Sequence, residues 1–367
     1  MGLKEEIAIK KNEIVVDSYP MSLGEIMNLY RDGELDVHPE FQRFFRWDNE
    51  QKSKLIESML LGIPIPSIFV SQRVDGKWDV IDGQQRLSTI LQFMQVLKKE
   101  NGENYDPLIL QSTKFLPSLG GVRWDNNDLF SSEQKIALKR EKLYFTIIKE
   151  SSQNTDAKYE MFQRLNTGGT NLSPQELRNC LLIMINRNFY LLINELNAND
   201  AFQNCIILTD LRTDDRYDLE LVVRYLLYIT FDDEVLDSID KNRNMDNFLT
   251  EELEKIANNT SYPVEKNKES FMKIFSLLYE CLGENALKRF KDDKFTGGTL
   301  LSSFEVIIPG LYENIDYWEQ NKEELTEKIK SAYDTEDYAN AMRRGTRALD
   351  RMIQLIKFSR KWFGNEN

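Results

Sequence analysis

Hydrophobic residues change their spacing partway along this chain, and that change limits the architectures open to it. Two short apolar, β-rich runs, SIFVSQR and KWDVID, flank Val74-Asp75-Gly76 and end at Asp82. A turn triplet between such runs predicts a β-hairpin. Past Asp82 the period lengthens, and Leu87, Ile90, Leu91, Met94 and Leu97 fall at helical spacing. KLYFTIIKE reads as a further strand, and TDAKYEMFQRL as a helix with Tyr159, Phe162 and Leu165 inward. Beyond Ser173 nearly every segment is helix-periodic, including RYDLELVVRYLLYI, ESFMKIFSLLYECL and TRALDRMIQLIKF. Strands mixed with helices, then helices alone, predict an α+β domain followed by an all-helical one. At 367 residues the chain has length for two such cores.

Local signals mark the element ends. Ser22 and Glu25, Asp48 and Gln51, and Ser173 and Glu176 each have the spacing of a capping box. Pro174 stands at a first helical position. Gly33 and Gly62 predict helix ends, and Ile63-Pro64-Ile65-Pro66 an extended stretch. Residues 101–131, rich in Gly, Pro, Asn and Asp, predict an irregular excursion. Pro174–Leu196 is expected to be one helix, too apolar to be solvated and so a bridge between the two domains. Arg343, Arg347 and Arg351, four apart, are expected on one solvated helical face. No internal repeat is present.

Composition removes several chemistries. The single histidine, His38, leaves no His-based metal finger, H-E-x-x-H site or Ser-His-Asp triad beyond what one imidazole supplies. It precedes a proline and reads as a loop residue. Cys180, Cys205 and Cys281 are scattered, which suits a reducing compartment rather than a disulfide framework. The N-terminus has no apolar core of signal-peptide length, and Leu177–Leu196 is interrupted by polar residues, so a cytoplasmic protein without a membrane span is expected. Net charge is -13, carried mostly by the second half: residues 1–180 have 23 Lys and Arg against 26 Asp and Glu, and residues 181–367 have 24 against 34. Binding to nucleic acid would therefore need a local basic patch.

Three constellations carry candidate chemistry. In IDGQQRLSTI, Asp82 to Arg86 lie where a strand becomes a helix. There Gly83 permits close backbone approach, Arg86 offers a phosphate-matching fork, and Asp82 can hold magnesium through water or act as a base. Gln84 and Gln85 can orient a water, and Ser88 follows on the same helix. The bland alternative is that Asp82 and Gln85 form an ordinary capping box. In HPEFQRFFRW, Gln42, Arg43, Arg46 and Trp47 alternate with phenylalanines, as in a nucleotide or nucleic-acid clamp, or in a packed aromatic cluster with paired arginines. In FQRLNTGGTNLSPQELRN, Asn166, Gly168, Gly169 and Thr170 can form an anion nest, or simply a tight turn. No G-x-x-x-x-G-K-[ST] loop is present, so a Walker-type site is excluded.

Together these segments resemble the N-terminal domain of GmrSD-type modification-dependent restriction enzymes, shared with SspE-like phage-defence proteins. The matching residues are Phe41-Gln42-Arg43 with Trp47, then Ile81 to Thr89, then Phe162 to Asn179. The resemblance covers roughly residues 15–180. It implies a ParB/sulfiredoxin-like fold with a small mixed sheet over residues 1–175, ahead of an all-α domain over 176–367. It further implies a pocket that binds and hydrolyses an NTP, GTP or ATP, with Mg2+. Catalytic roles fall on Asp82, Gln84, Gln85 and Arg86, and metal binding on Asp82. Phosphate contacts fall on Gln42, Arg43, Arg46, Gly83, Ser88, Asn166, Gly168 and Gly169.

Many relatives carry a C-terminal His-Asn-His nuclease; with no histidine after residue 38, these residues cannot form one. The expected role is thus an NTPase component of a bacterial genome-defence system, with DNA and a separate nuclease or defence subunit as partners. The alternatives are a DNA- or partner-binding protein of the same fold without turnover, or a ParB-like nuclease. On the leading reading Arg86→Ala abolishes nucleotide binding while the chain stays folded, and the NTGG loop lies beside the DGQQR box.

Overall fold

A computed structural model describes residues 2–3, 5–6, 16–37, 47–99, 101–149 and 173–364. The chain is α+β and divides into two compact units, residues 1–170 and 171–367.

In the first unit, β1 (Val16–Ser22) leads into α1 (Leu23–Arg31), followed by β2 (Leu35–Asp36), α2 (Asn49–Leu60), β3 (Ile68–Gln72), β4 (Trp78–Asp82), α3 (Gln84–Phe93), α4 (Ser132–Arg140) and β5 (Lys142–Lys149). The strands form one mixed sheet in the order β1-β5-β3-β4-β2. β3 and β4 make the expected hairpin, with Gly76 at φ 85° in its turn. The central strands supply Ile68, Val70, Phe145 and Ile147 to the core, against Leu55, Ile56 and Met59 of α2 and Leu87, Ile90 and Leu91 of α3. β1 escaped the sequence pattern because Pro20 interrupts it. Pro20 is tolerated because β1 is an edge strand, pairing with β5 alone. α3 stops at Phe93, short of Leu97, because Gln95 turns into the left-handed region at φ 59°.

The excursion over 101–131 is irregular, as its composition predicts, yet it belongs to the core. Leu108, Leu110, Leu119, Val122 and Phe130 are buried, and Phe93, Trp124 and Phe130 pack edge to face. One carboxylate anchors it: buried Glu57 Oε1 accepts from Thr113 Oγ1, from Phe115 N at 3.0 Å and from Leu116 N at 2.9 Å. Hydrogen bonds to a charged group contribute about 1.5–3 kcal/mol each and do not add. Glu57→Ala should therefore lower unfolding stability by about 2 kcal/mol, read as a lower urea midpoint, with Glu57→Gln recovering part of it.

The same contacts, that from Thr113 foremost, hold the Glu57 carboxyl below its ordinary 4.5. The folded state thus favours the ionised form, so this contribution is full above pH 4.5 and is lost as pH falls through the lowered value. Acid unfolding should accordingly be shallower in Glu57→Gln than in the parent, with the difference confined to the region below pH 4.5.

The second unit is mainly helical. It contains α5 (Pro174–Ile185), α6 (Arg187–Asn197), α7 (Tyr217–Tyr228), α8 (Met245–Asn258), α9 (Val264–Leu282), α10 (Leu301–Gln320) and α11 (Ala348–Phe363), with shorter helices between them. Three expectations are corrected here. The unit is not wholly α, because Arg289–Lys291 and Lys294–Thr296 form a small hairpin, β6 and β7, with Asp292 and Asp293 at positive φ in its turn. The single helix expected over Pro174–Leu196 is two. Asn186 leaves helical geometry at φ -155°, caps α6 by accepting from Phe189 N at 3.0 Å, and donates to Ala257 O at 2.7 Å. Arg343, Arg347 and Arg351 do not share a helix: Arg347 is the N-cap of α11, Arg343 precedes it in a turn, and Arg351 faces inward to buried Glu305 at 3.3 Å.

α5 begins with the reciprocal Ser173–Glu176 capping box and Pro174 in its first turn. Its Q-E-L-R-N stretch is buried. Arg178, fully inaccessible, donates to Gln175 Oε1 at 2.8 Å and Glu220 Oε2 at 2.7 Å, with Asp246 Oδ1 at 3.4 Å; Gln175 in turn donates to Asn179. Arg224 reaches the other oxygen of Glu220 at 2.7 and 2.9 Å and donates to Tyr228 Oη at 2.7 Å; Tyr228 donates to Glu305 at 3.3 Å. Burial pushes the Glu220 carboxyl up, but Arg224 and Arg178 outweigh it and hold it below its ordinary value. Burial pushes Glu305 up despite Arg351 and Arg224. The arginine of this segment is thus a structural tie between helices of the second unit.

Candidate functional site

The DGQQR segment sits at the junction of β4 and α3, as the change of period requires. Asp82 ends β4, and Gly83 is the N-cap of α3 at φ 94°. A Cβ there would stand 2.4 Å from Ile68 Cδ1, and the backbone lies where L side chains rarely go. The alternative capping box between Asp82 and Gln85 does not form. Gly83 brings no side chain to the first turn, and Asp82 turns instead to Arg86, whose Nη2 donates to Asp82 Oδ2 at 2.8 Å. The start of α3 therefore presents backbone N–H groups and the positive end of a helix dipole beside a carboxylate–guanidinium pair. Such an end favours an anion.

Arg86 is nearly buried, and its fork is occupied. Nη1 donates to Pro66 O and, at 3.1 Å, to Ser67 O. The guanidinium thus ties the extended I-P-I-P segment, the end of β4 and the first turn of α3 into one piece. Asp82 remains partly exposed on its other side.

The two glutamines do not simply face solvent. Gln84 Nε2 donates to Val37 O at 2.9 Å, and Gln85 Oε1 accepts from Trp47 N at 3.5 Å. Val37 and Trp47 are the described residues on either side of the F-Q-R segment, so both flanks of that segment meet the DGQQR box. Gln42, Arg43 and Arg46 lie outside the described residues, as do His38, Asn166, Gly168 and Gly169. Ser88 is buried one turn further along α3, and Thr89 Oγ1 donates to Gln85 O at 2.7 Å.

Lys52 was not singled out from the sequence. It lies on the buried side of α2, Nζ donating to Gln92 Oε1 at 3.2 Å, and burial lowers its pKa despite the nearby Asp48. The signal was present: position 52 precedes Leu55 and Ile56 by three and four, which puts a cation on the apolar stripe of the helix. Gln85 and Gln92 are seven apart on α3, so Lys52 flanks the helix face that carries the box.

Among the described residues no group of three or more His, Cys, Asp or Glu side chains can hold a metal ion. A lone carboxylate with one oxygen already paired does suit a cation held chiefly by phosphate and water, the usual habit of magnesium. Among the described residues no helix is long and apolar enough to cross a membrane.

Comparison with known proteins returns no match among curated proteins and none among solved structures. The family model of the GmrSD restriction endonuclease N-terminal domain does match, over residues 23–183. That span runs from α1 into α5 and takes in the DGQQR box, both of its anchored flanks and the buried Arg178 tie. Residues 23–183 thus carry a domain similar to the GmrSD-type restriction endonuclease N-terminal domain family.

Proposed function

We propose that the first unit is a ParB/sulfiredoxin-like domain that binds and hydrolyses a nucleoside triphosphate at the β4–α3 junction, as one component of a modification-dependent restriction system. The observation that carries this reading is that Val37 and Trp47, the described residues flanking the F-Q-R segment, both meet the box at one helix N-terminus. Gln84 holds Val37, and Gln85 holds Trp47, at the two flanks of the F-Q-R segment. The phosphates would lie on the first turn of α3, where the helix dipole favours them. Magnesium, when bound, would neutralise phosphate charge, with Asp82 as its protein carboxylate. Arg86 would fix the orientation of Asp82, which would act as the base that orients a water for in-line attack on the terminal phosphorus, while Gln84 and Gln85 hold the flanks of the F-Q-R segment. In that step the new bond joins water oxygen to phosphorus, and the bond to the bridging oxygen breaks.

DNA and a separate nuclease subunit are the partners this reading assigns. His-Asn-His chemistry would come from that subunit, because the only histidine here is His38. The rival reading, a DNA- or partner-binding domain without turnover, draws on one observation: Arg86 already has protein acceptors for its fork. A thermal-shift panel of the four NTPs with magnesium, followed by phosphate release on any hit, separates the two. Stabilisation with release supports turnover, stabilisation without release leaves binding alone, and no shift at millimolar NTP removes the nucleotide reading.

A further inference from the structure

The box lies at the N-terminal end of α3. At the other end of that helix, about 15 Å away for ten residues, the first unit opens a cleft of 570 Å3. Its walls come from the end of α1, from β2, from the β3–β4 hairpin and from the loop after α3. Four cations line it, Arg31, Arg73, Lys77 and Lys98, against one lining carboxylate, Asp36. Asp36 is committed to Arg73 at 2.7 Å, and Arg73 is also bound by Asp79. Arg31 and Lys77 are exposed and make no ion pair among the described residues. In a chain of net charge -13 such a concavity runs against the overall charge, and a concave surface of one sign concentrates counter-ions of the other. The floor includes buried Leu35 and Val96, and Tyr30 is fixed on one wall by accepting from Lys98 N at 3.1 Å. The volume lies within the range of small-molecule sites.

We infer that this cleft binds a small organophosphate, its phosphate held by Arg31 and Lys77 and its organic part against Tyr30 and the apolar floor, at a site that shares only Val37 with the surroundings of the DGQQR box. The cations assigned to this ligand, Arg31 and Lys77, take no part in the box, so the two readings fail independently.

The test is calorimetric titration of the full chain with AMP and with inorganic pyrophosphate. The parent is compared with Arg31→Glu/Lys77→Glu and with Lys114→Glu/Arg140→Glu, a reversal at two exposed positions outside the cleft. Each charge-assisted phosphate contact accounts for about tenfold in affinity. Reversal at Arg31 and Lys77 should therefore weaken binding by at least about tenfold, while the outer reversal leaves it within about twofold. AMP binding more tightly than pyrophosphate would support the organic contact, whereas equal or weaker binding would remove it. The inference is overturned if neither probe binds the parent, if the cleft reversal binds as the parent does, or if both reversals weaken binding alike. Thermal melts of both variants confirm folding. If the double reversal melts early, Lys77→Gln alone, at an exposed hairpin position, carries the same comparison with a smaller expected loss.

Discussion

Arg178→Ala is expected to cost about 3–5 kcal/mol of stability, the range for removing one partner of a buried ion pair. Arg178 has no accessible surface, and its loss strips Glu220 of one of two guanidinium partners while leaving Gln175 and Asn179 with an unfilled space. Glu220 is held ionised in the fold by Arg224 and Arg178 against burial, so half of that compensation disappears while the burial remains. Since marginal stability is about 5–15 kcal/mol in total, the variant should melt far earlier than its parent and accumulate poorly. Arg178→Lys should recover only a fraction, since an ammonium cannot reach Gln175, Glu220 and Asp246 together. A far-ultraviolet melt of the three proteins measures this. An Arg178→Ala protein that melts with its parent would show that Arg224 alone satisfies Glu220.

Arg86→Ala is expected to destabilise the first unit by about 2–4 kcal/mol, before any ligand is considered. From sequence, this variant was expected to lose nucleotide and stay folded. The partners of Arg86 change that expectation, because its guanidinium serves Asp82, Pro66 O and Ser67 O at once. Removing it leaves a carboxylate and two carbonyls to find water in a nearly closed space. The pair with Asp82 can be measured apart from the rest by a double-mutant cycle with Asp82→Ala, where a coupling of about 1–3 kcal/mol is expected for groups in direct contact. Near-zero coupling would mean that the carbonyl contacts alone carry the role of Arg86.

How much of this was legible in the sequence follows from which residues signal locally. The Asp48 and Ser173 capping boxes, the Gly76 turn and the junction at Asp82 are written in adjacent residues, and the structure has each of them. Breaks made by tertiary contacts are not written that way. Asn186 ends α5 without a glycine or proline, through a side chain that caps the next helix and reaches Ala257. α4 hid in a polar stretch, SEQKIALKR, that buries only Leu138, although its Ser131–Gln134 capping box was there to be read. At the site the sequence located the segments but not their partners. Arg86 reads as a free phosphate fork until Pro66 and Ser67 are seen beside it. Gln84 and Gln85 read as water-orienting groups until Val37 and Trp47 are found on them. Glu57 gave no signal because its three donors lie about 60 residues away and belong to a segment with no periodicity of its own.

Hydrogen–deuterium exchange with and without saturating magnesium–ATP or magnesium–GTP tests the nucleotide site most directly, because it locates the ligand as well as detecting it. The first turn of α3 owes its donors to the helix end, and a phosphate seated there slows their exchange. Peptides covering residues 82–88 should gain protection, together with those that include the Trp47 N–H, which Gln85 holds. Protection confined to peptides spanning Arg31, Lys77 and Lys98, with residues 82–88 unchanged, would contradict the account and move the nucleotide to the cleft at the far end of the helix.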